Sequence, residues 1–231
     1  MNIALIGYGK MGQAIHRLAP QAGAQITLIV DSSATQAHAK TLESADFSDV
    51  DVAIDFTNPD SALKNLEILA SKKVNTVMGT TGWYSDMEKA RALVEKSGIG
   101  FLWASNFSIG VHLFWEILRK AGALMKEHPE YKVIGHEWHH TAKKDAPSGT
   151  AVSTANILKE SMPTLPKDFT FGATREGEIP GTHTVYFDSA VDSIEISHKA
   201  KNRDGFALGS LHCATWLKGK KGFYSIEDYL K

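Results

Sequence analysis

Short apolar runs alternate with helical spacings through the first hundred residues. Residues 2–6 (NIALI) read as a strand that opens directly onto Gly7, Gly9 and Gly12. From Met11 to Ala22 the apolar residues Met11, Ala14, Ile15, Leu18 and Ala22 recur at helical spacing, and Gly23 is placed to end the helix. Residues 25–30 (QITLIV) form a second strand that ends at Asp31, and a Ser/Ala-rich polar stretch follows. Third, fourth and fifth strands are predicted over 51–55, 74–78 and 99–103. Helices over 60–71, with Pro59 in the first turn, and 84–96 separate them. Strands alternating with helices predict βαβ units and a parallel sheet covered on both faces.

The pattern then changes. A long amphipathic helix over 109–126 precedes a strand over 131–137, a polar histidine-rich loop and a helix over 148–159. A Pro/Gly-rich stretch over 162–181 leads to strands at 183–187 and 193–198, separated by a turn and not by a helix. A mixed or antiparallel sheet is expected here. A last helix over 205–217 and the segment 222–230 are expected to return to the first domain. The fold class predicted is α/β, a Rossmann-like parallel-sheet N-terminal domain plus an α+β C-terminal domain. A dinucleotide-binding domain over 1–108, completed by 206–231, is set against a substrate-binding and oligomerisation domain over 109–205.

Gly7-Tyr8-Gly9-Lys10-Met11-Gly12 is G-x-G-x-x-G in the context that gives the motif meaning. It follows a strand, opens a helix, and Asp31 ends the next strand 19 positions after Gly12. The turn is tight, a diphosphate must approach the backbone closely, and the helix N-terminus then faces negative charge with unpaired N–H groups. Asp31 is suited to accept from ribose hydroxyls, which favours NADH. Ser32 and Ser33 bring hydroxyls but no charge for the extra phosphate of NADPH, and Lys10 is the nearest cation by sequence. The cofactor expected is NADH and/or NADPH. Gly79-Thr80-Thr81 and Ala104-Ser105-Asn106-Phe107 lie at the carboxyl ends of strands, where an open α/β sheet binds its ligands.

Residues 135–150 (GHEWHHTAKKDAPSGT) concentrate the candidate chemistry. Ser148, Gly149 and Thr150 stand at a helix start after Pro147, an anion site by virtue of its backbone N–H groups. A docked carboxylate there would sit near His140, Lys143 and Lys144, which fits a small acidic substrate. Three readings of the histidines compete. Zinc ligation by His136, Glu137, His139 and His140 lacks the H-E-x-x-H spacing, so no metal is expected. A solvated or core cluster is the second. The third is acid chemistry, with histidine or Lys143 as proton donor.

Composition narrows the class. Lys and Arg number 25 against 26 Asp and Glu, so the chain lacks the basic excess that marks a nucleic-acid binder. The single cysteine, Cys213, makes no internal disulfide and sits among apolar neighbours as an inert thiol. The five tryptophans, Trp83, Trp103, Trp115, Trp138 and Trp216, are read as packing residues. Arg175, Glu176 and His183 either border a pocket or are solvated loop residues. No basic leader and no membrane-length apolar run is visible, so a cytoplasmic protein without membrane partners is expected.

From the glycine loop almost to the C-terminus, the chain resembles the 4-hydroxy-tetrahydrodipicolinate (dihydrodipicolinate) reductase family. The resemblance rests on Asp55-Phe56-Thr57, Gly79-Thr80-Thr81, residues 106–110 (NFSIG), His139-His140 with Lys143, residues 145–150 (DAPSGT) and His198-Lys199-Ala200. It implies a two-domain subunit, a homotetramer held by the C-terminal sheets, and reduction of a cyclic dicarboxylate with loss of water. In that reaction a hydride reaches C4 of an unsaturated imine and C3 is then protonated. It also implies that Gly7 to Gly12, Asp31, Gly79 to Thr81 and Ala104 to Phe107 bind the dinucleotide. His139 is implied as catalytic acid/base, Lys143 as a second proton donor, and His140, Gly149 and Thr150 as holders of the substrate carboxylates. The glycine loop is one residue shorter than in many members, the segment after the second strand is short, and Trp138 replaces a smaller residue. The two shortenings bear on cofactor preference and not on the reaction.

Two rival functions share parts of this pattern. A semialdehyde or sugar dehydrogenase with the same two-domain plan is disfavoured because Cys213 is misplaced for a nucleophile. A non-catalytic NAD(H) sensor would have no use for His139, Lys143 and the Ser-Gly-Thr helix start together.

Overall fold

The computed structural model describes all 231 residues, in two compact units: Met1–Phe107 with Asp204–Lys231, and Ser108–Arg203. In the first unit six strands form one parallel sheet. They are β1 (Asn2–Ile6), β2 (Gln25–Val30), β3 (Val52–Asp55), β4 (Asn75–Met78), β5 (Gly100–Trp103) and β10 (Gly222–Ser225), in the order β10-β5-β4-β3-β1-β2. The order reverses at β1, which pairs with β2 on one side and β3 on the other. An open α/β sheet has its ligand crevice at such a point, outside the carboxyl ends of the strands.

Both faces of this sheet are buried, as its apolar strands require. Ile3 and Leu5 of β1 pack with Ile15 and Leu18 of α1 (Lys10–Leu18) and with Leu211 and Leu217 of α6 (Asp204–Leu217). Ala4 and Ile6 face the other way, into a cluster with Val30 and Leu69. Leu69 belongs to α2 (Pro59–Ser71), and α3 (Met87–Ser97) packs beside it, placing Val94 against Leu66 and Phe101. Each fully buried large side chain contributes roughly 1.5–3 kcal/mol. After Leu18 the chain tightens into a 3-10 turn, Ala19–Ala22, and Gly23 closes it in the left-handed conformation.

The polar stretch after β2 has no helix, yet it is not simply solvated. Leu42, Ala45 and Phe47 are buried against Ala53 and Leu69, where a crossover helix would otherwise cover that face. Its apolar residues are too sparse and irregular to signal this by periodicity.

The second unit is built on a mixed four-stranded sheet, order β7-β6-β8-β9, from β6 (Lys132–His139), β7 (Gly172–Arg175), β8 (Thr182–Asp188) and β9 (Ser193–Lys199). β6 runs parallel to β7 and antiparallel to β8, and β8 is antiparallel to β9. α4 (Ile109–Met125) and α5 (Gly149–Ser161) bury Phe114, Leu118 and Leu158 against Val185 and Phe187. β7 lies in the Pro/Gly-rich stretch, where the sequence pattern indicates no strand, because a four-residue edge strand leaves little sequence trace. β6 runs two residues further than expected, which places Trp138 and His139 on the strand and corrects their reading as loop.

Asp55, at the end of β3, has no exposure to solvent. It accepts from the Thr57 N–H and hydroxyl at 3.0 and 2.8 Å, the Thr80 hydroxyl at 2.8 Å and the Asn65 amide at 2.8 Å. Burial raises its pKa even against these four donors. The group therefore ties the ends of β3 and β4 to α2. Asp55→Ala leaves those donors unpartnered and is expected to cost about 3 kcal/mol in urea unfolding. A loss below about 0.5 kcal/mol, within the range of surface substitutions, would show that the network carries no stability.

Candidate active site

In the first unit the glycines of the loop do different jobs. Gly7 has a φ of 89°, and a Cβ there would strike the Phe56 carbonyl. Gly12, in the first turns of α1, packs against the Gly7 carbonyl with no room for a side chain. Gly9 is the N-cap of α1, receives no side-chain cap and has open space around its Cα. An uncapped helix start beside an open backbone is what a diphosphate requires, so the loop fits a dinucleotide. Gly7, Gly9, Asp31, Ser32 and Thr57 line a cavity of about 520 Å³.

Asp31 makes contacts within its own loop that the spacing does not signal. Its Oδ2 accepts from the Tyr8 N–H at 2.7 Å, and Oδ1 accepts from the N–H groups of Ser33 and Ala34, both at 2.8 Å, and from the Ser33 hydroxyl at 3.0 Å. Burial pushes its pKa up, but the N–H groups of Ala34, Tyr8 and Ser33 outweigh it and hold the carboxyl at about 2. Asp31 thus braces the glycine loop against the turn after β2, and only Oδ2 keeps spare acceptor capacity for a ribose.

The other expected cofactor residues fall in several places. Lys10 is exposed on α1 outside the cavity lining, and Met11 packs on the core. Thr80 is buried on Asp55, Thr81 is exposed, and Gly79 packs face-on against the Phe56 ring. Ala104 and Phe107 are buried, Ser105 is exposed and Asn106 half-buried. Lys40 and Lys64 also line the cavity, and no motif in the sequence marks them. Lys40 donates to the Ala34 carbonyl at 2.8 Å, which holds its ammonium against the loop after β2.

In the second unit, sheet register assembles the chemistry. Glu137 and His139 share one face of β6, His183 lies across from Glu137 on β8, and Arg175 lies beside His139 on β7. Glu137 is fully buried. Its Oε1 accepts from Arg175 at 2.7 Å and from the Ser148 N–H at 3.0 Å, while Oε2 meets the Ser148 hydroxyl and lies 3.3 Å from His183 Nε2. Burial alone would raise its pKa, but His183, Ser148 and Arg175 hold it well below the ordinary carboxylate value. Arg175, half-buried, and His183, buried, are therefore partners of Glu137, and not solvated loop residues.

Ser148 caps α5 by accepting from the Ala151 N–H at 3.2 Å, and both its own donors turn inward to Glu137. This corrects the expectation that Ser148 offers an N–H to a substrate. Gly149, the next residue, is exposed, and Thr150 is half-buried. His140 follows the strand and is half-buried, and the Lys143 Nζ pairs with both oxygens of Asp145 at 2.8 and 2.9 Å.

His139 is buried, with Nδ1 3.6 Å from Glu137 Oε2 and no hydrogen-bond partner. A Cβ at Gly181, whose φ is 149°, would lie 3.0 Å from its Nε2. Burial pushes its pKa down to about 4, opposed by Glu137 and reinforced by His183, Lys143 and Arg175. Glu137, His139 and His183 bring three donor atoms within 4.8 Å of one another. A metal ion is a poor fit, because the carboxylate is already bonded to Ser148 and a guanidinium stands 2.7 Å from it. Cys213 is fully buried, and burial pushes its thiol up to about 12, which makes it inert.

His139 takes up a proton near pH 6.5 when unfolded and near 4 when folded, so the unfolded chain binds more protons in between. Thermal stability is accordingly expected to be complete above pH 6.5 and to fall as pH drops towards 4. His198, also held low by burial, acts in the same direction. His139→Gln should flatten part of that slope in melts from pH 8 to 5, and an unchanged slope would contradict the depressed pKa.

Comparison with known proteins gives the family. Residues 1–107 match the family model described as dihydrodipicolinate reductase, N-terminus, and residues 110–230 the one described as dihydrodipicolinate reductase, C-terminus. The 4-hydroxy-tetrahydrodipicolinate reductase of Christiangramia forsetii is 39% identical over the whole chain and 98% of its own length. That of Neisseria meningitidis is 38% identical over 78% of this chain and 72% of its own. The dipicolinate-bound dihydrodipicolinate reductase of Paenisporosarcina sp. TG-14 shares the fold, with a TM-score of 0.83 at 22% identity over 99% of this chain and 98% of that one. The chain belongs to the dihydrodipicolinate reductase family of NAD(P)H-dependent oxidoreductases, which act in lysine biosynthesis.

Proposed function

We propose that His139 and Lys143 carry the proton chemistry of the family reaction in this chain. That reaction reduces 4-hydroxy-tetrahydrodipicolinate to tetrahydrodipicolinate, with loss of water. The observation that carries the assignment is the convergence, in one unit, of a buried uncharged histidine, a helix start and the cations Lys143 and Arg175. A bound nicotinamide supplies the hydride. Gly7 to Gly12 and Asp31 hold the dinucleotide, and Gly79 to Thr81 and Ala104 to Phe107 complete its site at the strand ends.

The second unit is close to neutral where the substrate binds. Arg175 is matched by Glu137 and Lys143 by Asp145, with His139 uncharged. A substrate with two carboxylates changes that balance. Asp145, more than half exposed, is cheaply released to water, which frees Lys143 for the incoming anion. His140 and the N–H groups at Gly149 and Thr150 take the carboxylates. The added negative charge raises His139 from about 4 into the range where it donates a proton. Nε2, beside Gly181, is the atom that delivers it.

Oligomerisation and location complete the reading. α4 and α5 cover one face of the mixed sheet. The opposite face carries Ile134, His136, Trp138 and Tyr186, with Ile134 49% exposed. We assign this face to the homotetramer contact and the protein to the cytoplasm. No helix is long and apolar enough to cross a membrane.

Four measurements test these assignments. With substrate generated in situ from pyruvate and aspartate semialdehyde, oxidation of NADH and of NADPH is followed in turn, and NADH is expected to be preferred. His139→Ala and Lys143→Ala should lose about 100-fold or more in kcat while binding NADH normally; near-normal turnover by either removes that residue's role. Pyridine-2,6-dicarboxylate should bind with net proton uptake at pH 7, read by calorimetry in buffers of different ionisation enthalpy, and binding without uptake would refute the charging of His139. Light scattering should give four times the 25.2 kDa chain mass, falling on Ile134→Glu.

A further inference from the structure

We propose that Glu137 is the positioning residue of this site: its buried carboxylate pins the N-terminus of α5 and stands as counter-charge to the His139 imidazolium. The proposal rests on the assignment of His139 as proton donor.

The first part follows from where the carboxylate sits. It binds both the N–H and the hydroxyl of Ser148, the residue that caps α5. The cap is thereby tied to the strand that carries His139, so Gly149 and Thr150 keep a fixed relation to the imidazole. Arg175 cannot draw the carboxylate away, because the same guanidinium also donates to the Asp145 carbonyl at 2.6 Å and the Thr174 carbonyl at 2.9 Å.

The second part follows from an atom without a partner. His139 Nδ1 is buried, makes no hydrogen bond and lies 3.6 Å from Glu137 Oε2. That is too far for a neutral bond, yet a shift of a few tenths of an ångström would form a charge-assisted one once the ring is protonated. The groups facing the ring are Glu137 on its own strand, Arg175 on β7, His183 on β8 and Lys143 from the following loop, with Asp145 on Lys143 and His198 behind His183. Of the groups that act on the ring directly, Glu137 favours the charged form, while His183, Lys143 and Arg175 oppose it.

The test is calorimetry of pyridine-2,6-dicarboxylate binding at pH 7, in buffers of different ionisation enthalpy, with turnover measured in parallel. Glu137→Gln keeps the shape and removes the charge. It is expected to cut proton uptake well below the wild-type value, to lower kcat about tenfold or more, and to weaken the dicarboxylate several-fold, with NADH affinity and near-UV circular dichroism unchanged. A merely like-charged neighbour would have the opposite effect on binding, since its removal would tighten the anion. Glu137→Asp keeps the charge and should retain the uptake with a smaller loss of kcat. It serves as the deciding variant should the Gln form fail to fold, and an Asp form without uptake overturns the proposal. Wild-type uptake combined with unchanged uptake and kcat in Glu137→Gln overturns the role of Glu137 alone. Absence of uptake in the wild type overturns the assignment of His139, and the counter-charge with it.

Discussion

A carboxylate taken out of water must be met by donors on every side, and in each unit one such group joins a sheet to the helix that follows. In the first unit it is Asp55, which gathers Thr57, Thr80 and Asn65 at the carboxyl ends of β3 and β4. In the second it is Glu137, which gathers Ser148, Arg175 and His183. Removing either acid would strand several buried donors at once, a heavier penalty than the loss of one contact. The candidate binding residues in each unit stand beside these nodes: Gly79 and Thr81 flank Thr80, and Gly149 and Thr150 follow Ser148.

The two acids differ in charge because their partners differ. Asp55 meets only neutral donors, and burial wins, so its pKa rises. Glu137 has a guanidinium among its partners, and the ionised form wins. Asp31, near the surface, needs only backbone N–H groups and a serine hydroxyl to reach about 2. A permanent negative charge at Glu137 makes sense of the unusual histidine beside it. His139 is kept uncharged by burial but lies within reach of an anion that favours its protonation. Such a group responds strongly when a second anion arrives.

The regular elements were legible because their signals are local. β1 and β2 run over the residues that the apolar pattern indicates, and Pro59 and Gly23 mark a helix start and a helix end. The signal failed where structure depends on partners distant in the chain. β7 exists by pairing with β6, and Leu42 and Phe47 are buried because α2 and β3 supply the surface beneath them. The extension of β6 through His139 has the same origin, since pairing with β7 and β8 carries the strand into a polar run.

The candidate residues divide along the same line. Residue type, spacing and strand–helix context suffice to mark Gly7, Gly9 and Gly12 as a dinucleotide turn and the His-His-x-x-Lys and Ser-Gly-Thr segments as the chemical end. Those requirements concern neighbours in sequence. Which lone pairs are already occupied is another matter. Asp31 turns its carboxylate to the backbone of its own loop, Ser148 turns both donors inward, and Glu137, Arg175 and His183 meet only through strand register. The sequence by itself determined the family, the fold and the set of reactive residue types. The tertiary structure decided which of them are free to act, because hydrogen-bond satisfaction and burial are properties of residues brought together from distant parts of the chain.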